Sequence, residues 1–109
     1  MNAAQPRVDE GPPSLTLDGA VATIRLRRPA QRNSLHGVDL QTLLRFFSQL
    51  DADPAVRVVV LSAATDGQPR PVFSAGYNIV GFESGAHDPM LFERVAEALA
   101  RLRPITVCA

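Results

Sequence analysis

The chain is poor in the features that mark several protein classes. Its 109 residues include a single cysteine, Cys108, which excludes an internal disulfide and a cysteine-built metal cluster. Such usage fits a reducing compartment, and a cytoplasmic setting is expected. Lysine is missing altogether: the 11 basic residues are all arginine, balanced by 11 acidic ones. A formal net charge of zero gives no electrostatic grip on nucleic acid or an anionic membrane surface, so neither partner is expected. Residues 1–13 contain no apolar core of a secretion signal. No apolar run approaches the roughly 20 residues that span a bilayer. No internal repeat or low-complexity segment interrupts the chain. With 46% apolar and 20% charged residues, wholesale disorder is excluded as well.

What is present reads as one modest domain. Residues 1–13 are polar with three prolines and are expected to form a disordered lead-in, which leaves 14–109 as the folded part. Leu15 and Leu17 alternate with polar neighbours, Asp18-Gly19 signals a two-residue hairpin, and 21–26 resumes as a strand. The first two strands are therefore predicted to be antiparallel. A polar connection, 27–34, carries Pro29. Leu40, Leu43, Leu44, Phe47 and Leu50 then recur at helical spacing and predict an amphipathic helix over 37–50. Asp39 falls in its first turn, where a negative charge suits the helix dipole, and Pro54 stops it. Residues 56–63 are a nearly continuous β-branched run, as expected of a strand covered on both faces in a parallel or mixed sheet.

Beyond a surface loop at 65–69, residues 72–74 are predicted as a short strand that Ala75-Gly76 interrupts, and 81–87 as a flexible loop. Asp88 as N-cap and Pro89 at the first helical position start a second helix. Leu91, Val95, Ala98, Leu99 and Leu102 mark its buried face, and Pro104 ends it. Residues 105–109 begin a further apolar strand, in which Cys108 reads as a small buried hydrophobe. An ending inside such an element is expected of the front portion of a longer domain. The order β-β-α-β-β-α-β predicts the α/β class, a layered sheet with amphipathic helices.

Chemistry points to one segment, Phe73-Ser74-Ala75-Gly76-Tyr77-Asn78. Small residues after a strand let the backbone turn sharply and expose N–H groups. Such donors suit an anion or a developing oxyanion, because they are fixed before the charge appears. The same pattern also describes a glycine needed only for a tight turn, and on the local residues alone the plain turn is favoured. Other polar residues carry less. His36 reads as a helix-capping or surface histidine, and His87 and Glu83 as solvated loop residues. No metal-ligand spacing is present. Arg101 and Arg103 suit a helix C-terminus.

Four blocks in order change the weighting. Residues 21–29 with Arg32-Asn33-Ser34-Leu35, the stretch 51–61, Phe73-Ser74-Ala75-Gly76-Tyr77-Asn78-Ile79, and 103–109 together resemble the enoyl-CoA hydratase/isomerase (crotonase) superfamily. They match its N-R-P…R-N-A-L, D-x-x-V-R-V-V-V-L, F-S-A-G-x-D-L and K-P-x-I-A-A patterns. The resemblance runs from Ser14 to the end and implies the N-terminal part of a crotonase-like ββα spiral fold. It also implies an acyl-CoA thioester ligand whose carbonyl oxygen sits between two backbone N–H groups, one of them from Tyr77.

In the family the second donor and the acid/base carboxylates lie in sequence that would follow Ala109. Half a site is therefore expected here, with the domain cut before the second glycine-rich motif. Contacts to the CoA portion are implied for Arg32, Asn33, Ser34 and Leu35, and to the substrate for Ala75, Gly76, Asn78 and Ile79. Arg32 reads equally as a phosphate contact and as a solvated loop arginine. CoA would enter as part of the substrate, with no separate cofactor and no metal. Full-length relatives are expected as homotrimers or hexamers. The expected parent reaction is hydration of a 2-enoyl-CoA in fatty-acid metabolism. The alternative is a non-catalytic acyl-CoA-binding module or an inactive truncated gene product. Tyr77 is bulkier than the family's usual small residue, and Asn78 stands for its aspartate.

Overall fold

A computed structural model describes residues 10–77 and 90–109. Strand β1, Gly11–Asp18, pairs antiparallel with β2, Val21–Arg27. The Asp18-Gly19 hairpin is confirmed, with Gly19 at φ 59° as its turn demands. β1 starts at Gly11 rather than Ser14, so the strand takes in Pro12 and Pro13. It does so at the sheet edge, where a missing N–H removes no inner ladder bond, and the register shifts between Gly11 and Ser14. The rest of the expected lead-in lies outside the described residues.

After a short 3-10 turn, Pro29–Gln31, and a two-residue strand β3, Ser34–Leu35, comes helix α1, Gly37–Asp51. The predicted stripe faces the core: Leu40 and Leu50 are fully buried, Leu43 and Phe47 nearly so, and Leu44 is half-buried against them. Strand β4, Val58–Ala63, follows, then the two-residue β5, Gly76–Tyr77, helix α2, Leu91–Ala100, and β6, Ile105–Cys108. The main sheet has the order β1-β2-β4-β6, with β2, β4 and β6 parallel. Both helices are crossovers between parallel strands, which such pairs require.

The core is a single layer between this sheet and the two helices. Ala22 and Ile24 of β2 and Val59 and Leu61 of β4 meet Leu40, Phe47 and Leu50 of α1 and Leu91 and Val95 of α2. Sequence expectations for two strands are corrected here. β4 is buried on alternate residues only: Val58, Val60 and Ser62 are half-exposed, because both helices lie on one face of the sheet. β6 is exposed throughout. It is an edge strand, bonded only to β4 among the described residues, so Cys108 is exposed rather than buried.

The predicted strand at 72–74 does not form either. Pro69 and Pro71 remove N–H donors just ahead of it, and the pairing occurs instead at Gly76–Tyr77. α2 has Met90 at its cap position, while Asp88 and Pro89 lie outside the described residues. Beyond that helix, Arg103 does more than answer a dipole. Its N–H donates to Asp51 Oδ1 (2.7 Å) and its guanidinium to the carbonyls of Asp53 (2.7 Å) and Val56 (3.0 Å), clamping the ends of both helices together.

Candidate functional site

The site is assembled from two loops that the sequence separates by some forty residues. The first is the connection from β2 to α1. Its 3-10 turn closes with Arg32 and Asn33 both left-handed, at φ 54° and 53°. Asparagine tolerates this region, whereas arginine rarely adopts it. Asn33 is 1% exposed, and its side chain is fully used. Oδ1 accepts from Arg28 N–H at 2.9 Å, and Nδ2 donates to the carbonyls of Ala64 (2.8 Å) and Val72 (3.2 Å). The side chain of Asn33 is thus structural, and what this stretch offers outward is its backbone.

A charged anchor holds the same loop to α1. Arg28 Nε donates to Asp39 Oδ2 at 2.8 Å, and a second guanidinium nitrogen to Oδ1 at 3.1 Å, with both side chains largely shielded. Asp39 Oδ2 also accepts the His36 N–H at 2.9 Å. This is the reciprocal half of a capping box. The first-turn acid is therefore a buried partner of three donor N–H groups from two residues, not simply a charge near a dipole. Sequence reasoning placed His36 at the cap but missed Arg28, and the spacing of three from His36 to Asp39 was the available signal.

The second loop runs from Ala64 to Tyr77. Gln68 braces it: Nε2 donates to the Pro29 carbonyl at 2.9 Å, and Oε1 accepts the Val72 N–H at 2.6 Å. No sequence signal marked Gln68. The Ser74 hydroxyl donates to the Asn33 carbonyl at 2.7 Å and accepts the Gly76 N–H at 3.0 Å. Ala75 N–H donates to the Arg32 carbonyl at 2.8 Å. Gly76 has φ 97° with open space where a Cβ would stand. Glycine is needed here for conformation, not for room.

Beyond that turn, β5 pairs parallel with β3, Ser34 opposite Gly76 and Leu35 opposite Tyr77. The pairing does not reach back to Asn33 and Ala75, although the Ala75 N–H touches the Arg32 carbonyl. Within the turn itself the Gly76 N–H is taken by the Ser74 hydroxyl.

Arg32, Asn33, Ser34 and Leu35 are therefore brought against Ala75, Gly76 and Tyr77. Asn78, Ile79, Glu83 and His87 lie outside the described residues. Two cavities lie along these loops. One, of about 380 Å³, is open and lies between the two loops, lined by Pro29, Arg32, Gln68, Arg70 and Val72. The other, of about 190 Å³, is apolar and lies between the sheet and both helices, lined by Leu35, Phe47, Phe73, Phe92 and Leu99 with Ser74 at its edge. Among the described residues no group of acids, histidines and cysteines could hold a metal ion. No helix of those residues is long and apolar enough to cross a membrane.

Comparison with known proteins gives one answer. The sequence pattern of the enoyl-CoA hydratase/isomerase family matches residues 16–108. EchA13 of Mycobacterium tuberculosis, provisionally named an enoyl-CoA hydratase, is 44% identical over 62 residues, which is 57% of this chain and 18% of that protein. The crystal structure of an enoyl-CoA hydratase/isomerase family member superposes with a TM-score of 0.75 at 30% identity, over 94% of this chain and 40% of that one. The enoyl-CoA hydratase EchA8_6 of Mycobacterium marinum shares the fold with a TM-score of 0.74 at 24% identity, over 89% of this chain and 46% of that one. The chain thus spans less than half the length of each of these relatives. By its sequence pattern and its α/β fold of the crotonase type, the chain belongs to the enoyl-CoA hydratase/isomerase family.

Proposed function

We propose that the Ala75-Gly76-Tyr77 turn receives the carbonyl oxygen of an acyl-CoA thioester, with the Tyr77 N–H as one backbone donor to the oxyanion that develops there. The observation that supports this most is the glycine turn at φ 97°, held beside Ser34 and Leu35 by the β3–β5 pairing, in a chain carrying the family's pattern. A backbone amide is fixed before the charge develops and needs no reorganisation. One such donor contributes roughly a hundredfold to a thousandfold in rate.

The surroundings fit the two ends of such a ligand. The apolar cavity beside Ser74 suits an acyl chain, since ligand sites are mostly apolar with a few placed polar groups. Arg32, exposed at the rim of the open cavity, suits a phosphate of the CoA portion through its charged fork. The backbone of Asn33, Ser34 and Leu35 contacts the CoA portion in this reading, and Asn78 and Ile79 complete the substrate contacts. CoA enters as part of the substrate, without a separate cofactor. The parent reaction in this reading is hydration of a 2-enoyl-CoA in cytoplasmic fatty-acid metabolism, by a homo-oligomer at full length.

Calorimetric titration with butyryl-CoA, set against CoA alone, tests the reading. Tighter binding of the thioester is expected, and no heat at millimolar ligand overturns it. Mixing with crotonyl-CoA and following loss of its conjugated ultraviolet band separates a hydratase from a module that only binds.

A further inference from the structure

The Tyr77 amide can serve an oxyanion only while the peptide planes of the turn hold their phase, and glycine leaves those planes free to rotate. Gly76 meets nothing within 4 Å at the position of a Cβ, so packing does not hold it. Among the described residues, the side chain that does is Ser74. A hydroxyl has one proton and two lone pairs. Here the proton goes to the Asn33 carbonyl at 2.7 Å, and a lone pair takes the Gly76 N–H at 3.0 Å. The anchor is itself rigid, because Asn33 is buried and bonded through its side chain to Arg28, Ala64 and Val72.

We propose that Ser74 is the positioning residue of this turn: its hydroxyl, seated on the Asn33 carbonyl, captures the Gly76 N–H and so turns the next amide, that of Tyr77, toward the thioester oxygen. The proposal rests on the oxyanion reading above. It adds that the choice of donor is made by a side chain that never touches the reacting atoms. Without the hydroxyl the Gly76 N–H loses its nearest acceptor, and the two amides lose their distinction.

The test compares two variants of equal size in the full chain, Ser74→Thr, which keeps the hydroxyl, and Ser74→Val, which removes it. Amide hydrogen exchange without ligand is read first. Gly76 is expected to exchange about tenfold faster in Ser74→Val than in Ser74→Thr, the worth of one ordinary hydrogen bond, while Val59 and Leu61 stay unchanged. Titration with 2,4-hexadienoyl-CoA is read second, since its absorption moves to longer wavelength when its carbonyl is polarised. The unsubstituted chain and Ser74→Thr should show that shift. Ser74→Val should bind with similar affinity and lose most of it.

A full wavelength shift in Ser74→Val, or Gly76 exchange equal in the two variants, overturns the proposal. Faster Gly76 exchange in Ser74→Val, with no wavelength shift in any variant, instead overturns the oxyanion reading and reduces Ser74 to a structural lock. Should Ser74→Val not fold, Ser74→Ala carries the same two readouts.

Discussion

The apolar core and the polar tie beneath the candidate turn hold neighbouring parts of the molecule by opposite means. The core joins the sheet to α1 through Ala22, Ile24, Leu40, Leu50 and Val59, all fully buried, and reaches α2 through Leu91 and Val95. No single contact there decides the geometry. The polar tie runs from Asp39 through Arg28 and Asn33 to Ser74 and Gly76, and each link is one directed bond of 2.7 to 3.0 Å at its shortest. Area burial is proportional and forgiving, whereas a directed bond either forms or leaves a buried group unpaired. The core should therefore set how stable the chain is, and the tie should set where the turn points.

Substitutions that break this contrast can be ranked. Leu40→Ala, fully buried near the start of α1, should cost the most, about 2–5 kcal/mol by urea denaturation. Asp39→Ala comes next. It strips acceptors from Arg28 and from the His36 N–H, and with Arg28 slightly open to water the loss should be about 2–3 kcal/mol. Gly76→Ala meets no clash, but the positive φ should still cost about 1–2 kcal/mol. Its effect on thioester binding should exceed its effect on stability, the reverse of Leu40→Ala.

The smallest change sharpens the comparison most. Arg32 holds a left-handed φ of 54° and is exposed. Arg32→Gly should be neutral or stabilising by about 0.5 kcal/mol, as relief of strain outweighs the added freedom of the unfolded chain. The same variant should bind acyl-CoA more weakly, because the fork offered to a phosphate is gone. A thermal melt and a calorimetric titration on one preparation check both halves.

The two regions also differ in how far the sequence announced them. The stripe of Leu40, Leu43, Phe47 and Leu50, the Asp18-Gly19 hairpin and the α/β order could be read directly, because periodicity and turn chemistry are local. The motif around Ala75-Gly76-Tyr77 was legible only through its register with three other blocks. What held it was not legible. The bonds from Asn33 to Ala64 and Val72, and from Ser74 back to Asn33, join residues 31 to 41 positions apart, and no window of sequence contains both partners. Val72 to Ser74 was misread for the same reason: an apolar stretch suggested a strand, while Gln68 and Asn33 side chains held its backbone instead. Cys108 was misplaced because burial of β6 depends on what covers its outer side, a property its own residues do not encode.

The central claim is that the Tyr77 amide, and not the Gly76 amide beside it, meets the thioester oxygen. Titrating the isotopically labelled chain with butyryl-CoA and following both amide resonances tests it most directly. The account predicts a downfield movement and slowed exchange at Tyr77, with Gly76 unchanged on its Ser74 acceptor. A response at Gly76 with Tyr77 unmoved would contradict it.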